Sequence, residues 1–238
     1  MYPLDQITLP TIKEDDLDDV PRMGVKMANP QRDHRNVIEH DQWRQAVQGY
    51  LASISFADAT LGKVLEAFDA STHKDNTTVI LWSDHGWHLG EKLHWRKFAL
   101  WEEATHNVMM INSPGLTKPR SRCDQAVELM DIHPTLVDIC GLAPRNELEG
   151  TSLRSLLENP ALERECPALT SQGLGNHAIR NEKWRYIRYR DGTEELYDHE
   201  NDPLEWTNLA GEPQHDGKKI ELARWLPKTD APESPPVQ

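Results

Sequence analysis

The feature that most constrains the fold is a long amphipathic segment followed by a short apolar run. Across residues 41–69 the apolar side chains recur at spacings of three and four, which predicts one long helix with a single apolar stripe. Residues 77–82, which read Thr-Thr-Val-Ile-Leu-Trp, are β-branched or apolar throughout. Such a run is typical of a strand buried on both faces of a sheet in an α/β protein. The combination predicts an α/β core, which we expect to extend over residues 41–160.

The segments on either side of this core differ from it in composition. Residues 1–40 are polar and acidic and show no useful period, so we expect an extended, loop-like segment. Within residues 167–226, alternating polar and apolar positions lead to Asp191-Gly192, which predicts a small antiparallel sheet with a hairpin. Residues 227–238 are rich in proline and predict a disordered tail.

The composition is acidic and only moderately apolar. The 238 residues carry a formal net charge of −13, which argues against nucleic acid and anionic membrane surfaces as partners. Apolar residues make up 37 %, so either much of the surface is solvated or part of the core comes from elsewhere. No run approaches the roughly 18 apolar residues of a membrane span. Residues 1–5 resemble no signal peptide, which leaves the localisation open.

A carboxylate and an imidazole follow the predicted strand directly. Asp84 and His85 lie just beyond its carboxyl end, where open α/β sheets bind ligands. Gly86, which follows them, gives the backbone of the turn conformational freedom. Oxygen and nitrogen donors suit a divalent cation, but two ligands do not fix which one. The alternative is a turn aspartate beside a surface histidine.

A lysine lies on the loop that leaves this strand end. Lys97 comes thirteen residues after Asp84 and has Trp95 and Arg96 before it. A long cationic side chain there could reach an anion held on a metal and stabilise charge on a transferring sulfuryl or phosphoryl oxygen. The alternative is an ordinary solvated charge.

Short motifs follow one another along most of the chain. They are Ser83-Asp-His-Gly-Trp-His-Leu-Gly-Glu91, Trp95-Arg-Lys97, Leu100-Trp-Glu-Glu-Ala-Thr-His106, Ser113-Pro-Gly115, and the runs at 131–142, 148–153, 179–186 and 195–203. In this order they resemble the sulfatase family of the alkaline-phosphatase-like superfamily, and the likeness is greatest to the branch that contains iduronate-2-sulfatase and choline-sulfatase-like enzymes. The resemblance covers nearly the whole chain and implies the C-terminal part of that fold: a partial mixed sheet flanked by helices, plus a small antiparallel subdomain.

The resemblance implies a role for each matching position. Asp84 and His85 match a pair that helps to bind the active-site calcium ion, and Lys97 matches a lysine that contacts the substrate sulfate. Three residues fall on the loop that would border a sulfated small molecule or glycan: Trp87, His88 and His94.

The catalytic nucleophile of the family has no counterpart here. Sulfatases use a formylglycine made from Cys/Ser-x-Pro-x-Arg, and Cys166-Pro167 does not fit that pattern. The early aspartate pair of the metal site is also missing, since Asp15-Asp16 lack a buried strand before them and are read as solvated acids. We therefore expect the isolated chain to bind metal weakly and to be inactive. An N-terminal sulfatase half or a homo-oligomer could supply what is missing.

Two alternatives to a sulfatase part stay open. The chain could be part of a phosphodiester or phosphonate monoester hydrolase of the same superfamily, because sulfate and phosphate esters present similar oxygens. It could also be a non-catalytic remnant that binds a sulfated glycan or another protein.

Overall fold

The computed structural model describes residues 1–232 as a mixed α/β structure with three small antiparallel sheets. This arrangement confirms the α/β class. The helices are α1 (Arg22–Ala28), α2 (Asp33–Glu39), α3 (Trp43–Asp69), α4 (Glu102–Thr105), α5 (Ile132–Ile139), α6 (Arg154–Glu158) and α7 (Asp216–Ala223). The strands are β1 (Val79–Trp82), β2 (His88–Leu89), β3 (Trp95–Arg96), β4 (Met109–Asn112), β5 (Ala168–Ser171), β6 (His177–Arg180), β7 (Trp184–Arg188) and β8 (Glu194–Asp198). Among the described residues, no helix combines the length and the apolar character needed to cross a membrane.

The long helix and the first strand lie where the sequence predicts them. Helix α3 has 27 residues, yet Val47 is its one buried residue. Strand β1 pairs with β4 in antiparallel register, with Trp82 opposite Met109. None of the residues in these two strands is buried. The expectation of a strand covered on both faces is therefore not met within residues 1–232.

The predicted antiparallel sheet forms in the C-terminal part. Its strand order is β5-β6-β7-β8, and Gly192, at a φ of +83°, closes the β7–β8 hairpin. Helix α7 packs on one face of the sheet, where Leu222 is buried with Ile179 and Leu196. The tail prediction concerns residues 227–238, of which 233–238 lie outside the described residues. The domain boundaries themselves stay a prediction.

The N-terminal segment contains more structure than the sequence indicates. Helices α1 and α2 lie within residues 1–40, which were expected to be extended. The interpretation of Asp16 as a solvated acid is wrong, because its side chain is buried and accepts a hydrogen bond from Lys92 Nζ at 2.9 Å. Lys92 also donates to the carbonyl oxygen of Glu205. The pairing joins the N-terminal segment to the loop before β3, and sequence periodicity carries no signal for such a contact.

A buried arginine connects the C-terminal sheet to α4. Arg185 on β7 donates to the carboxylates of Glu102 and Glu205 and, at 3.0 Å, to the Leu100 carbonyl oxygen. Arg180 Nε lies 3.0 Å from Glu102, and His199 Nε2 lies 2.8 Å from Glu205. Burial alone would raise the pKa of Glu205, but Arg185 and His199 outweigh it and lower that pKa to about 2. The charges are thus compensated within the interface.

A second buried carboxylate gathers aromatic side chains beside this arginine. Glu195 on β8 accepts hydrogen bonds from Trp101 Nε1 at 2.8 Å and from the hydroxyls of Tyr189 and Tyr197, each at 2.5 Å. Its three partners are all buried. Three donors compensate a carboxylate that burial would otherwise penalise. The residues before α4 are therefore held against the C-terminal sheet by hydrogen bonds as well as by packing.

The first prediction concerns Arg185. We expect Arg185→Met to lower the free energy of unfolding by about 3–5 kcal/mol, because the buried Glu205 and the partly buried Glu102 lose the guanidinium that they share. Urea denaturation followed by circular dichroism measures this change. The control is Arg154→Met, whose exposed ion pairs on α6 predict almost no change. A loss for Arg185→Met no larger than that of the control would contradict the structural role of the arginine.

The second prediction concerns Glu103 on α4. Burial, helped by the charge of Glu205, raises the pKa of Glu103 from 4.5 to about 7. Between these values the folded state binds more protons than the unfolded state, so this group makes stability fall as the pH rises from about 4.5 to 7. We expect Glu103→Gln to stabilise the protein at pH 8, by at most about 3 kcal/mol, and to have little effect at pH 4. The midpoints of urea denaturation, measured across this pH range, test the prediction, and the exposed Glu147→Gln is the control. If Glu103 were ionised in the folded state, the change in stability with pH would have the opposite sign.

Candidate functional site

The turn after β1 is held by hydrogen bonds to both neighbouring elements. Ser83 N donates to the Val108 carbonyl oxygen at 3.0 Å, and Gly86 N donates to the Ala104 carbonyl oxygen at 2.9 Å. A Cβ atom on Gly86 would lie 1.9 Å from the Glu103 carbonyl oxygen, so a larger residue would push α4 away. The positions of Asp84 and His85, which lie within this turn, are therefore fixed by backbone contacts.

Asp84 and His85 place two potential metal-ligand atoms close together. Asp84 Oδ2 lies 3.4 Å from His85 Nε2, and both side chains reach solvent. His85 Nδ1 lies 2.7 Å from the Gly86 carbonyl oxygen, so this nitrogen carries the hydrogen and donates it. The Nε2 nitrogen, which then carries a lone pair, lies beside the carboxylate, and together the two atoms can serve as ligands of a cation.

The donor pair fits a divalent cation. Two ligand atoms that each lie about 2.3–2.6 Å from a calcium ion, at right angles, are about 3.3–3.7 Å apart. The separation between Asp84 and His85 falls in this range. The orientation of an imidazole by a backbone carbonyl is also common for metal ligands. The chemistry therefore suits a metal, and its identity as calcium stays a prediction.

An aromatic side chain adjoins this pair. The Trp87 ring stacks on Tyr50 of α3, with centroids 6.4 Å apart and planes 24° from parallel. The His85 ring lies 6.1 Å from Trp87. Trp87 is partly exposed, so the structure leaves it accessible to a ligand near the turn.

A short hairpin carries Lys97 back toward this turn. Strands β2 and β3 pair with His88 opposite Arg96, so Trp87 and Lys97 leave the hairpin at the same end. The backbone is left-handed at Lys92, Leu93 and Arg96, with φ of +54°, +48° and +76°. Such conformations are unfavourable for non-glycine residues and persist where surrounding contacts enforce them.

Contacts with the N-terminal segment and α3 hold this hairpin. Trp43 Nε1 donates to the Leu89 carbonyl oxygen at 2.7 Å, and His94 Nδ1 donates to the Ala28 carbonyl oxygen at 2.8 Å. The resulting position of Lys97 leaves its side chain half-buried, with Nζ 5.7 Å from the centre of the Phe98 ring. Within residues 1–232, no carboxylate forms an ion pair with the Lys97 ammonium group. It is therefore available to an external anion.

His88 and His94 occupy the interior of the hairpin. Both are buried, with ring centres 4.9 Å apart, and both pack edge-on against Trp101. Burial and the neighbouring His94 lower the pKa of His88 to about 3, so its ring is neutral at pH 7. This placement gives both histidines a packing role, and substrate contact by them stays a prediction.

A second group of potential ligands lies at the α4 interface. Ligand atoms of Glu102, His199 and Glu205 lie within 4.8 Å of one another. The carboxylates, however, already accept hydrogen bonds from Arg185 and Arg180. A metal would have to displace a buried guanidinium, so we interpret this group as an ion-pair centre. Sequence reasoning missed it because its members are far apart along the chain.

Comparison with known proteins identifies relatives over nearly the whole chain. The family "Sulfatase" matches residues 12–142, and "N-sulphoglucosamine sulphohydrolase, C-terminal" matches residues 90–231. A sulfatase of Formosa agariphila is 40 % identical over 97 % of this chain and 46 % of its own length. A choline-sulfatase of Rhizobium meliloti is 31 % identical over 76 % of this chain and 36 % of its own length.

The solved structures show the same fold. A structure described as a 2-O GAG sulfatase superposes with a TM-score of 0.77 at 22 % identity, over 93 % of this chain and 50 % of that one. This similarity confirms the alkaline-phosphatase-like architecture. The chain spans half or less of the length of these relatives. The two family matches, each covering more than half of the chain, show that it belongs to the sulfatase family.

Proposed function

We propose that this chain contributes the C-terminal part of the active site of a sulfuric ester hydrolase. The observation that carries the proposal is the Asp84–His85 pair, whose donor atoms face each other at the carboxyl end of β1. Lys97, a cation without an ion-pair partner in the described chain, lies on the hairpin that begins beside this pair. The combination suits a divalent metal next to an anionic group.

Asp84 and His85 would hold the metal, for which the family favours calcium. A bound metal ion supplies positive charge that polarises the oxygens of a sulfate ester. Calcium takes about six to eight ligands, so two protein ligands bind it weakly. The remaining ligands would come from an N-terminal sulfatase half or, alternatively, from a homo-oligomer.

Lys97 would stabilise the negative charge that develops on the ester oxygens during the reaction. Its ammonium group can donate hydrogen bonds to a sulfate oxygen or to the leaving oxygen as the ester bond breaks. The constrained backbone at Arg96 fixes the direction in which the lysine leaves the hairpin. Trp87, partly exposed beside His85, would border the remainder of the substrate.

The substrate class is a sulfated small molecule or glycan. The choline-sulfatase and the 2-O GAG sulfatase among the relatives support this range of substrates. The sequence contains no Cys/Ser-x-Pro-x-Arg motif, the source of the formylglycine nucleophile in the family. We therefore propose that the nucleophile is provided outside this chain and that the chain alone does not turn over sulfate esters.

The third prediction concerns metal binding by the isolated chain. We expect calcium to bind with a Kd of about 1 mM or weaker, because few ligands are present. Asp84→Asn should weaken binding at least about fivefold, which corresponds to about 1 kcal/mol. Asp75→Asn, an exposed turn residue, is the matched control. Calorimetric titration and the NMR shift of His85 Nε2 measure the effect, and equal affinities for the two variants would exclude Asp84 as a ligand.

The fourth prediction concerns the role of Lys97 in turnover. The chain is co-expressed with the N-terminal half of a sulfatase relative that carries the formylglycine motif, and the complex is assayed with calcium and 4-nitrophenyl sulfate. We expect Lys97→Met to lower kcat/KM by about 100-fold, because a donor to developing charge is lost. Lys118→Met, in an exposed loop, should leave the rate unchanged.

Two outcomes of this assay count against the proposal. Turnover by the isolated chain would show that it holds its own nucleophile. Preferential hydrolysis of a phosphonate monoester or a phosphodiester by the complex would favour the alternative reaction class.

A further inference from the structure

A hydroxyl and an imidazole meet at one end of the C-terminal sheet. Ser171, the last residue of β5, is directly opposite His177, the first residue of β6, in the antiparallel register. Directly opposite residues lie on the same face of a sheet, with Cβ atoms about 4.5–5.5 Å apart. Ser171 Oγ lies 2.7 Å from His177 Nδ1 and forms a hydrogen bond with it. The strand pairing therefore fixes this contact.

A carboxylate reaches the same imidazole from the segment that follows α7. Asp230 Oδ1 lies 2.9 Å from His177 Nε2, the ring nitrogen that Ser171 does not contact. Leu226, which precedes this segment, is buried with Ile179 of β6 and anchors it to the sheet. The hydroxyl, the imidazole and the carboxylate thus come from three different elements of the fold.

The three side chains differ in how far they reach solvent. The His177 side chain is 6 % exposed and the Asp230 side chain is 35 % exposed, whereas Ser171 is exposed at the end of its strand. An imidazole shielded from water interacts more strongly with the polar groups on its two nitrogens. The hydroxyl, in contrast, is open to a reactant from solution.

The carboxylate determines which ring nitrogen carries the hydrogen. An ionised carboxylate only accepts hydrogen bonds, so Asp230 favours the hydrogen on His177 Nε2. Nδ1 of the neutral ring then holds a lone pair, which accepts the hydrogen bond that the Ser171 hydroxyl donates. Serine hydrolases use the same sequence of hydroxyl, imidazole and carboxylate, there with the two ring nitrogens exchanged.

Hydrogen-bond donors for a developing negative charge are present on the same sheet and in the adjoining turn. Arg188 on β7 is directly opposite His177, so it lies on the same face. Among the described residues, no carboxylate forms an ion pair with its guanidinium. In the turn after Ser171, the amides of Gly173 and Gly175 donate no hydrogen bond to any described residue.

We propose that Ser171, His177 and Asp230 form an esterase site for carboxylic esters. Ser171 Oγ bonds to the ester carbonyl carbon while its hydrogen passes to His177 Nδ1, and Asp230 stabilises the imidazolium that forms. Arg188 stabilises the negative carbonyl oxygen of the tetrahedral intermediate. The hydrogen then passes from His177 to the leaving alcohol as the carbon–oxygen bond breaks, which leaves the acyl group on Ser171. A water molecule attacks this acyl group by the same route, releases the carboxylic acid and restores the hydroxyl.

The surroundings of Ser171 indicate the class of ester. Because Ser171 is exposed, the site suits an ester with a short acyl group at the surface of a larger molecule. The unpaired guanidinium of Arg188 favours a substrate that carries negative charge near this ester. The proposal stands independently of the sulfatase assignment, since it uses none of the residues named there.

The first test uses the full chain and a fluorophosphonate, which forms a covalent bond with a serine that an imidazole activates. We expect Ser171 to be labelled at least about tenfold faster than Ser121, an exposed serine of the same chain that contacts no imidazole. Mass spectrometry of the peptides measures both rates. Asp230→Asn should slow the labelling of Ser171 at least about tenfold, with an unchanged circular dichroism spectrum, because the carboxylate no longer supports the imidazolium.

The second test compares two esters that differ in charge. We expect the chain to hydrolyse mono-4-nitrophenyl succinate faster than 4-nitrophenyl acetate, and Arg188→Met to remove this preference. The proposal is overturned if Ser171 is labelled no faster than Ser121, or if Asp230→Asn is labelled like the wild type. Ester hydrolysis that persists in Ser171→Ala also overturns it, as does a lower melting temperature of this variant without labelling of the wild-type serine, which would indicate a structural hydrogen bond alone.

Discussion

The ion pairs of Arg185 with Glu102 and Glu205 fix the positions of elements beyond the interface in which they lie. Glu102 begins α4, and the carbonyl oxygen of Ala104 in that helix receives the hydrogen bond from Gly86. The turn that carries Asp84 and His85 therefore depends on where α4 lies. Since α4 is fixed by a guanidinium on the C-terminal sheet, that sheet contributes to the site without touching it. A buried ion pair is weak support for stability by itself, but it specifies one arrangement of the elements that it joins.

The proposed metal ligands Asp84 and His85 differ from the remaining ligands of the proposed site in how their positions are determined. The relative orientation of Asp84 and His85 is set by hydrogen bonds within one turn and to its immediate neighbours. The pair can form in the chain as described. Affinity, in contrast, requires ligands that the turn cannot provide. Recognition of the family from short motifs therefore says more about ancestry and fold than about the activity of this chain alone.

Periodicity predicted those parts of the fold that depend on local pattern. The stripe of α3, the apolar run of β1 and the Asp191-Gly192 hairpin each need only nearby residues, and each lies where the sequence indicates. Burial of charge was not predictable in this way. Asp16 meets Lys92 across 76 positions and Arg185 meets Glu102 across 83, so neither partner could be inferred from its neighbours. The same limitation applies to the burial of His88 inside the hairpin, which its neighbours along the chain do not indicate.

The left-handed backbone at Lys92, Leu93 and Arg96 has a consequence for ligand recognition. A loop that populates several conformations must lose entropy each time that it binds, and affinity falls accordingly. Here the unfavourable conformations are imposed by contacts made during folding, such as the bond from Trp43 to Leu89. The direction of Lys97 is thus settled before any anion arrives. The hairpin that leads to Lys97 is thus ordered when the chain folds, so in the proposed site this lysine would meet an anion as a preorganised group.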